Sequence, residues 1–420
     1  MFNLDFDFIK KLKRNLFPFY KNKELKFVFK KLHEDFPDEN IVARFVGGCV
    51  RKHLTGEIID DIDIATTLTS DEIKKKFQDT DFKVIDTGVE HGTVTLISRN
   101  LKLELTTLRK DVSTDGRHAE VKYIDDWTLD SERRDFTVNA IYLDIDGNIL
   151  DPQMGTIDLK NNNIKFIGDP QKRIEEDYLR IIRFIRFKIM YKGSIDQTTI
   201  NAIKINLDGI YKISKERILL ELFKILDLKN FYSLIDNSDL KKIFSLVFPE
   251  LKYINRINRL KEISNHLKID KMIILATLLI DEKNNHEYFS HKYSVSNKIK
   301  DDLNQLGLNL KNLKEDKNFL EKNLKRNIYV NGKDQVISLN ILNFVSNNKY
   351  KFSDFIKNFK KILNTKTPKL HIDGKYLMRN GMSEGVLLGK TLKVIEQEWI
   401  NNDFKISNEN VLEIIEKNSN

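Results

Sequence analysis

The spacing of hydrophobic positions divides the chain into a strand-containing N-terminal part and a longer helical part. Apolar and polar residues alternate at 94–97 and 101–106, which predicts a β-hairpin turning at Ser98-Arg99-Asn100. A second hairpin is predicted in IYLDIDGNILD, because Asp146-Gly147 suits a tight turn. From residue 169 onward, apolar residues recur every three or four positions, which predicts helices. We therefore expect an α+β unit followed by an all-α part.

Shorter sequence patterns predict the other helices, strands and loops of the N-terminal part. Helical periodicity covers residues 5–40, and residues 1–23 are interpreted as a short packing helix. A strand at 41–46 should lead into a Gly-Gly pair and a turn that carries Arg51. A helix should begin at Ser70-Asp71. Residues 109–130 are polar and rich in turn-forming residues, so they are predicted to be a mobile loop.

The composition favours a nucleic-acid partner and argues against a membrane protein. Hydrophobic residues make up 40% of the 420 residues, charged residues 32%, and the net charge is +9. A basic chain favours polyanions. No apolar run approaches the roughly 20 residues that a membrane helix needs. The one cysteine, Cys49, excludes an internal disulfide, so a reducing, cytoplasmic location is expected. Neither membrane association nor an obligate protein partner is expected.

The strongest candidate site lies in residues 46–67, with the sequence VGGCVRKHLTGEIIDDIDIATT. Asp61 and Asp63 are two positions apart on a predicted strand, so their side chains face the same side. Paired carboxylates bind hard divalent cations, and a Gly-Gly pair lets backbone N–H groups approach phosphate oxygens. This pattern predicts Mg²⁺-assisted chemistry on a nucleoside triphosphate; a solvated strand end is the alternative. Glu104 is either a third carboxylate or an exposed hairpin residue.

A second candidate cluster is Arg133-Arg134-Asp135 with Asn139 four residues later. This spacing fits one helical turn, in which residues i and i+4 share a face. The guanidinium group suits a phosphate, and the Asp/Asn pair suits a ribose hydroxyl. A helical salt bridge is the simpler alternative.

A third cluster lies in a predicted helix at 175–187, where Asp177 and Arg180 are one turn apart. Aspartate offers hydrogen-bond acceptors and arginine offers donors, so the pair could recognise the edge of a base. Arg183 and Arg186 continue a series of three arginines without an intervening lysine, which suits planar, bidentate recognition better than a surface salt-bridge ladder.

Together, these motifs resemble the class II tRNA nucleotidyltransferases, the CCA-adding enzymes, which are grouped with bacterial poly(A) polymerases in the polymerase-β-like superfamily. The matching segments are GGCVRKHLTGEIIDDIDIATT, HGTVTL, LELTTLRKDVSTDGRHA, ERRDFTVNAIY, IGDPQKRIEEDYLRIIRFIRF and DGKYLMRNGMSEGVLLGKTLKVIEQEWI. The resemblance implies an α+β fold, in which an N-terminal polymerase-β-like nucleotidyltransferase head (a mixed β-sheet with helices) precedes an all-α neck, body and tail. The implied divisions are an N-terminal helix at 1–23, a catalytic head at 24–150, a base-recognising neck at 151–210, an RNA-binding body at 211–330 and a tRNA-binding tail at 331–420.

The resemblance also implies roles for individual residues. Asp61 and Asp63 would hold two catalytic Mg²⁺ ions, and Glu104 remains the candidate third catalytic carboxylate. The implied nucleotide-binding residues are Gly48 and Arg51 for the triphosphate, Arg134 for the nucleotide, Asp135 and Asn139 for the ribose, Asp177 and Arg180 for the base, and Arg183 and Arg186 for support of the pocket and the phosphates.

The implied activity is the template-independent addition of C, C and A to the 3′ end of tRNA, using CTP and ATP and releasing pyrophosphate. The helical part would bind the acceptor end and elbow of tRNA, and the loop at 109–130 matches a segment thought to help the switch between bases. The chain departs from the family pattern at Lys52, where an Asp is usual, and at Ser383-Glu384-Gly385, where Pro-Gly-Pro is common. Alternatives within the family are CC-only, A-only or poly(A) addition. The Asp61/Asp63 pair argues against a non-catalytic RNA-binding protein.

Overall fold

A computed structural model describes residues 18–37, 40–88, 92–114, 119–281, 283–316 and 319–419. The chain forms two compact units, one ending at Pro249 and the other beginning at Glu250. The first unit combines a β-sheet with helices, and the described part of the second is helical. Within these residue ranges, no helix combines the length and the hydrophobicity that crossing a membrane requires.

The centre of the first unit is a seven-stranded mixed sheet with the strand order β3-β4-β5-β2-β1-β8-β9. Strands β2 and β5 pair in parallel, and the other neighbouring strands pair antiparallel. A separate two-stranded ribbon consists of β6 and β7. The strands are β1 Ala43–Val46, β2 Ile62–Thr66, β3 Lys83–Gly88, β4 Thr93–Ile97, β5 Lys102–Thr107, β6 Arg109–Thr114, β7 Ala119–Tyr123, β8 Tyr142–Leu143 and β9 Ile149–Leu150.

Alternation along β2 and β5 gives the sheet one buried face and one open face. Ile64, Leu103 and Leu105 are buried. Asp63, which precedes Ile64, and Glu104, which lies between the two leucines, point to the opposite face. The helices of this unit are α1 Lys23–His33, α2 Gly48–Thr55, α3 Ser70–Phe77, α4 Trp127–Glu132, α5 Gly155–Lys160, α6 Pro170–Glu176, α7 Leu179–Tyr191, α8 Gln197–Ile205, α9 Lys215–Leu226 and α10 Ser238–Val247.

The described part of the second unit is built from helices whose apolar residues form its core. Its last three helices share a hydrophobic cluster that includes Leu377, Ile395 and Val411, each fully buried. The helices are α11 Ile257–Ser264, α12 Lys271–Leu279, α13 Asn285–Tyr293, α14 Asn297–Glu315, α15 Leu324–Asn331, α16 Lys333–Ser346, α17 Phe352–Asn364, α18 Gly374–Arg379, α19 Val386–Asn401 and α20 Asn408–Ser419.

The predicted fold class is confirmed, as are both hairpins and the strand predicted at 41–46. The helix predicted at Ser70 begins there and is capped by Thr69, whose hydroxyl accepts a hydrogen bond from the Glu72 N–H group. Most of the predicted helix at 1–23 lies outside the described residues. Its described end forms a 3₁₀ turn at Phe19–Lys21, and α1 begins at Lys23.

Two predicted irregular segments are regular in the structure. The turn expected around Arg51 is helix α2, which ends at Gly56 in the left-handed conformation that glycine favours. The loop predicted at 109–130 is also wrong: β6 and β7 form an antiparallel ribbon, and α4 follows. The sequence of β6, RKDVST, has one apolar residue and so lacks the alternation that identifies a strand, whereas β7, AEVKY, alternates but follows the turn-forming stretch TDGRH. Residues 115–118, between the two strands, lie outside the described residues.

Candidate active site

A cavity of about 870 Å³ in the first unit gathers residues from the start of the central strand β2, helix α2, the segment after α4, Asp177 between α6 and α7, and helices α7 and α9. Of the residues predicted for the site, eleven line it: Gly48, Arg51, Asp61, Asp63, Arg134, Asp135, Asn139, Asp177, Arg180, Arg183 and Arg186. The lining includes seven arginines, which suits a polyanionic ligand such as a triphosphate.

The carboxylates of the cavity lie where β2 begins. Asp63 is on β2, and Asp61 immediately precedes the strand with an exposed side chain. Glu104 pairs in register with Asp63 across the parallel β2–β5 ladder, so the two side chains emerge next to each other. The Glu104 side chain is 49% exposed and does not belong to the cavity lining recorded for the described residues.

The clustering of carboxylates changes the protonation of Asp63. Burial, together with the negative charges of Glu104 and Asp61, raises the pKa of Asp63 to about 6. A divalent cation would relieve this repulsion, so the donor set suits a hard metal ion. Among the described residues, however, no three His, Cys, Asp or Glu side chains are arranged to hold a metal by themselves.

Replacing Asp63 with asparagine is expected to stabilise the metal-free protein at neutral pH. The pKa of Asp63 rises from its ordinary 3.8 to about 6 on folding, so the native state binds more protons than the unfolded state between these values. The free energy of unfolding should therefore fall as pH rises through this window, by at most about 3 kcal/mol.

Thermal unfolding in a chelator at pH 5 and pH 8 tests this expectation. Asp63→Asn should be the more stable protein at pH 8 and should lose part of the wild-type pH dependence. Asp71→Asn, which removes a carboxylate that is 94% exposed, should follow the wild type. Equal pH dependence in all three proteins would contradict the raised pKa.

The N-terminus of helix α2 borders the carboxylates. Gly47 adopts a positive φ of 72°, and a Cβ atom there would lie 3.7 Å from the Asp63 carboxylate oxygen Oδ2. A Cβ on Gly48 would meet open space. The first N–H groups of a helix have no intrahelical acceptor, so this end can donate hydrogen bonds to phosphate oxygens.

The predicted helical turn at 133–139 is wrong: α4 ends at Glu132, and a 3₁₀ turn occupies Thr137–Asn139. The unpredicted Asp130 anchors this segment. Its fully buried carboxylate accepts hydrogen bonds from Arg133 Nε at 2.8 Å, Arg134 Nη2 at 2.9 Å and Tyr142 Oη at 2.7 Å. Burial alone would raise the pKa of Asp130, but the two arginines outweigh it and hold the pKa far below its ordinary value.

Asp135 and Asn139 are also engaged within the protein. Asp135 Oδ2 accepts hydrogen bonds from Arg183, with Nη2 at 2.7 Å, and Oδ1 accepts one from Asn139 Nδ2 at 2.6 Å. Asn139 Oδ1 in turn accepts a hydrogen bond from Arg51 Nη1. Burial opposes ionisation of Asp135, but Arg183 outweighs it and lowers its pKa. These contacts fix the positions of Arg183 and Arg51, which both line the cavity.

The helix predicted at 175–187 is interrupted at Asp177, whose φ and ψ of −155° and 103° are extended. Aspartate competes for nearby backbone N–H groups, and Asp177 Oδ1 accepts a hydrogen bond from Leu179 N–H at 3.1 Å, where α7 begins. Asp177 Oδ2 pairs with Arg217 Nη2 at 2.7 Å. Arg180 pairs instead with Glu176, at 2.5 Å. The break thus directs Asp177 and Arg180 to different partners.

Helix α9 supplies two residues that the sequence analysis missed. Besides Arg217, it contributes Glu221, which is 3% exposed and accepts a hydrogen bond from Arg186 Nε at 2.8 Å. Glu221 occupies the apolar stripe of α9 beside Ile218 and Leu222, both buried. A glutamate in such a stripe is a sequence signal for a buried ionic partner, because an unpaired buried charge is costly. Lys52, which the sequence analysis named only as a departure from the family pattern, also lines the cavity and pairs with Asp60.

Comparison with known proteins relates this site to one enzyme family. Family models match residues 43–165, described as "Poly A polymerase head domain", and residues 194–254, described as "Probable RNA and SrmB-binding site of polymerase A". The mouse mitochondrial CCA tRNA nucleotidyltransferase 1 is 33% identical over 407 residues, covering 92% of this chain and 89% of the relative. The CCA-adding enzyme of Ligilactobacillus salivarius is 30% identical, covering 91% and 95%.

The fold is also similar to that of a solved structure. The Bacillus stearothermophilus CCA-adding enzyme, solved in complex with CTP, superposes with a TM-score of 0.68 at 23% identity, covering 93% of this chain and 96% of that enzyme. The two sequence relatives match nearly their full length, and they share both the strand-bearing and the helical parts of this chain. On this evidence the chain belongs to the family of CCA-adding tRNA nucleotidyltransferases.

Proposed function

We propose that this protein adds C, C and A to the 3′ end of tRNA, using CTP and ATP without a nucleic-acid template. The observation that carries the proposal is one cavity that combines Asp61 and Asp63 with seven arginines and with Asp177. The acids suit metal-dependent nucleotidyl transfer, and the arginines suit a triphosphate. Relatives that match most of the chain are named for CCA addition to tRNA. The single cysteine supports a reducing compartment, and we place the activity in the cytoplasm.

Asp61 and Asp63 are the residues we propose to hold Mg²⁺. When bound, Mg²⁺ would neutralise charge on the triphosphate and make the terminal ribose hydroxyl of the RNA a better nucleophile. The protein positions both carboxylates at the start of β2, with Glu104 beside Asp63 to add negative potential. Glu104 therefore acts on the site through Asp63 in this proposal.

The arginines are proposed to bind and orient the triphosphate. The N-terminus of α2 at Gly48 offers backbone N–H donors, and Arg51, Arg134, Arg183 and Arg186 line the same cavity. Because acidic or amide partners already fix these guanidinium groups, little rearrangement should be needed when charge develops during transfer. Asp135 and Asn139 would hydrogen-bond to the ribose of the nucleotide in addition to their contacts with Arg183 and Arg51.

Selection of the base is proposed to rest on Asp177 and Arg180. Both residues line the cavity, and their side chains are held by Arg217 and Glu176, respectively. A carboxylate that accepts hydrogen bonds and a guanidinium that donates them can together distinguish the edges of cytosine and adenine from those of uracil and guanine.

One extension assay tests the activity and separates it from its alternatives. Transcripts of one tRNA that end before the first C, before the second C or before the A are incubated with CTP, ATP or both. With full CCA addition, the transcript that ends before the first C gains two C residues with CTP alone and is completed only when ATP is also present. The transcript that ends before the second C gains one C with CTP alone, and the one that ends before the A is completed by ATP alone. Extension limited to C, extension limited to one A, or long A tails on any RNA would identify the three alternatives within the family.

A matched variant controls for enzyme carried over from the expression host. Asp61→Ala, purified in the same way, should give no extension while still retaining the tRNA in a filter-binding measurement. RNA binding without extension by the wild-type protein would favour a non-catalytic RNA-binding role and reject the proposal.

A further inference from the structure

The aromatic ring of Phe187 lies among three arginines of the cavity. The guanidinium carbons of Arg186 and Arg51 are 4.6 Å and 4.8 Å from the ring centroid, and that of Arg183 is 5.9 Å away. These distances fall within the range in which a cation is attracted to an aromatic ring, about 6 Å. Phe187 lines the cavity but is only 1% exposed, so little of it is open to a ligand.

The three guanidinium groups need compensation because they carry like charges in a partly buried site. Burial lowers the pKa of Arg186, and repulsion by Arg183 and Arg51 lowers it further, although Glu221 opposes both effects. Arg183 has the carboxylate of Asp135 at 2.7 Å, and Arg186 has that of Glu221 at 2.8 Å. Each of these two arginines therefore has a close acidic partner, and Glu221 Oε1 also lies 3.9 Å from Arg183 Nη1.

Arg51 is compensated differently. Its recorded hydrogen-bond partner is the neutral side-chain amide of Asn139. Within the described residues, its buried Nε atom has no hydrogen-bond partner. The Asp63 carboxylate attracts the charge of Arg51, and the electron-rich face of Phe187, 4.8 Å from the guanidinium carbon, adds a second attraction. A cation–π contact is stronger when the cation is desolvated.

The ring itself is held firmly. It packs edge-on against Phe136, with centroids 5.2 Å apart and an interplanar angle of 64°, and it stacks on Tyr191 with an interplanar angle of 9°. Phe187 follows Arg186 directly on α7 and comes four residues after Arg183. One rigid ring therefore fixes the position of two arginines from its own helix relative to Arg51 from α2.

We propose that Phe187 is a positioning residue whose π face holds Arg51, Arg183 and Arg186 in the arrangement that binds the nucleoside triphosphate. This inference rests on the proposed function. The proposed effect is electrostatic, because the negative face of the ring offsets the repulsion among the three guanidinium groups. A purely structural role would depend only on the size and hydrophobicity of the side chain.

Fluorination separates these two explanations, because it withdraws electron density from the ring face with little change in shape. Phe187 is replaced at its own codon by phenylalanine carrying one, two or three ring fluorines, since the chain has 26 phenylalanines and global labelling would alter all of them. The KM for CTP and for ATP should rise step by step, to about tenfold with three fluorines, whereas kcat should change much less.

Phe184 is the matched control, one turn earlier on α7. It is fully buried, and its recorded ring contacts are with Phe136 and Phe166. Fluorination there should leave both KM values unchanged. A flat series at Phe187, or equal slopes at both positions, would overturn the inference. Thermal unfolding of each variant checks that the fold is retained. Absence of incorporation by the wild-type protein would instead reject the proposed function and this inference with it.

Discussion

Alanine at position 61 is expected to abolish nucleotide addition while leaving the fold and tRNA binding intact. Asp61 precedes β2 with an exposed side chain, so its removal leaves no cavity in the core. Asp63 alone would then have to hold the metal ions. If Asp61 and Asp63 hold the metal as proposed, loss of one of them removes much of the electrostatic stabilisation of the transferring phosphoryl group, so we expect a rate decrease of about 1000-fold or more.

Single-turnover incorporation of labelled CTP into tRNA measures this decrease. Asp71→Asn and Asp208→Asn, which each remove an exposed carboxylate elsewhere in the first unit, should retain wild-type rates. A far-ultraviolet circular dichroism spectrum and a tRNA dissociation constant, both unchanged in Asp61→Ala, would localise the loss to chemistry. Normal turnover by Asp61→Ala would refute the metal assignment.

The second large effect is expected for Asp177→Asn, which should reduce discrimination between bases more than it reduces overall activity. Asparagine keeps an oxygen that can accept the Leu179 N–H bond at the start of α7, but it replaces the second carboxylate oxygen with a donor. The pocket should then lose about tenfold to 100-fold of its preference for CTP and ATP over UTP and GTP.

Arg217→Gln provides a companion measurement. Arg217 holds Asp177 through the 2.7 Å ion pair. Its loss should therefore reduce the preference for CTP and ATP over UTP and GTP without placing a new donor against the base. Ratios of kcat/KM for the four triphosphates give the preference directly. An equal decrease of kcat/KM for all four triphosphates in Asp177→Asn, with the preference for CTP and ATP unchanged, would contradict the role in base recognition.

The fold could be predicted from the sequence wherever one face of an element is buried. The β4–β5 hairpin was predicted because Leu103 and Leu105 must face the core, and α3 because its capping residues precede an amphipathic run. The β6–β7 ribbon was missed, since β6 gives no hydrophobic alternation and the alternating residues of β7 follow a polar, turn-rich stretch. Helix α2 was missed because a Gly-Gly pair favours a turn as readily as a helix N-terminus.

The chemistry of the site could be predicted further than its geometry. Asp61 and Asp63 were identified by a period-two spacing, which depends only on local strand structure. The partners of Asp177 could not be found in this way, because Arg217 is 40 residues away and meets it only through tertiary packing. The interruption at Asp177 was equally hidden, since neither proline nor glycine marks it. Glu221 alone left a trace, as a charge within an apolar stripe.

Helix α9 has a consequence for dissecting this enzyme into parts. The match to the polymerase head ends at residue 165, yet the counter-ions of Asp177 and Arg186 come from Arg217 and Glu221 on α9. A fragment cut at the end of the head would keep Asp61 and Asp63 but lose Asp177 and the α7 arginines from the cavity lining. Exchanging heads between family members should therefore produce competent chimaeras only when each head travels with its own α6, α7 and α9.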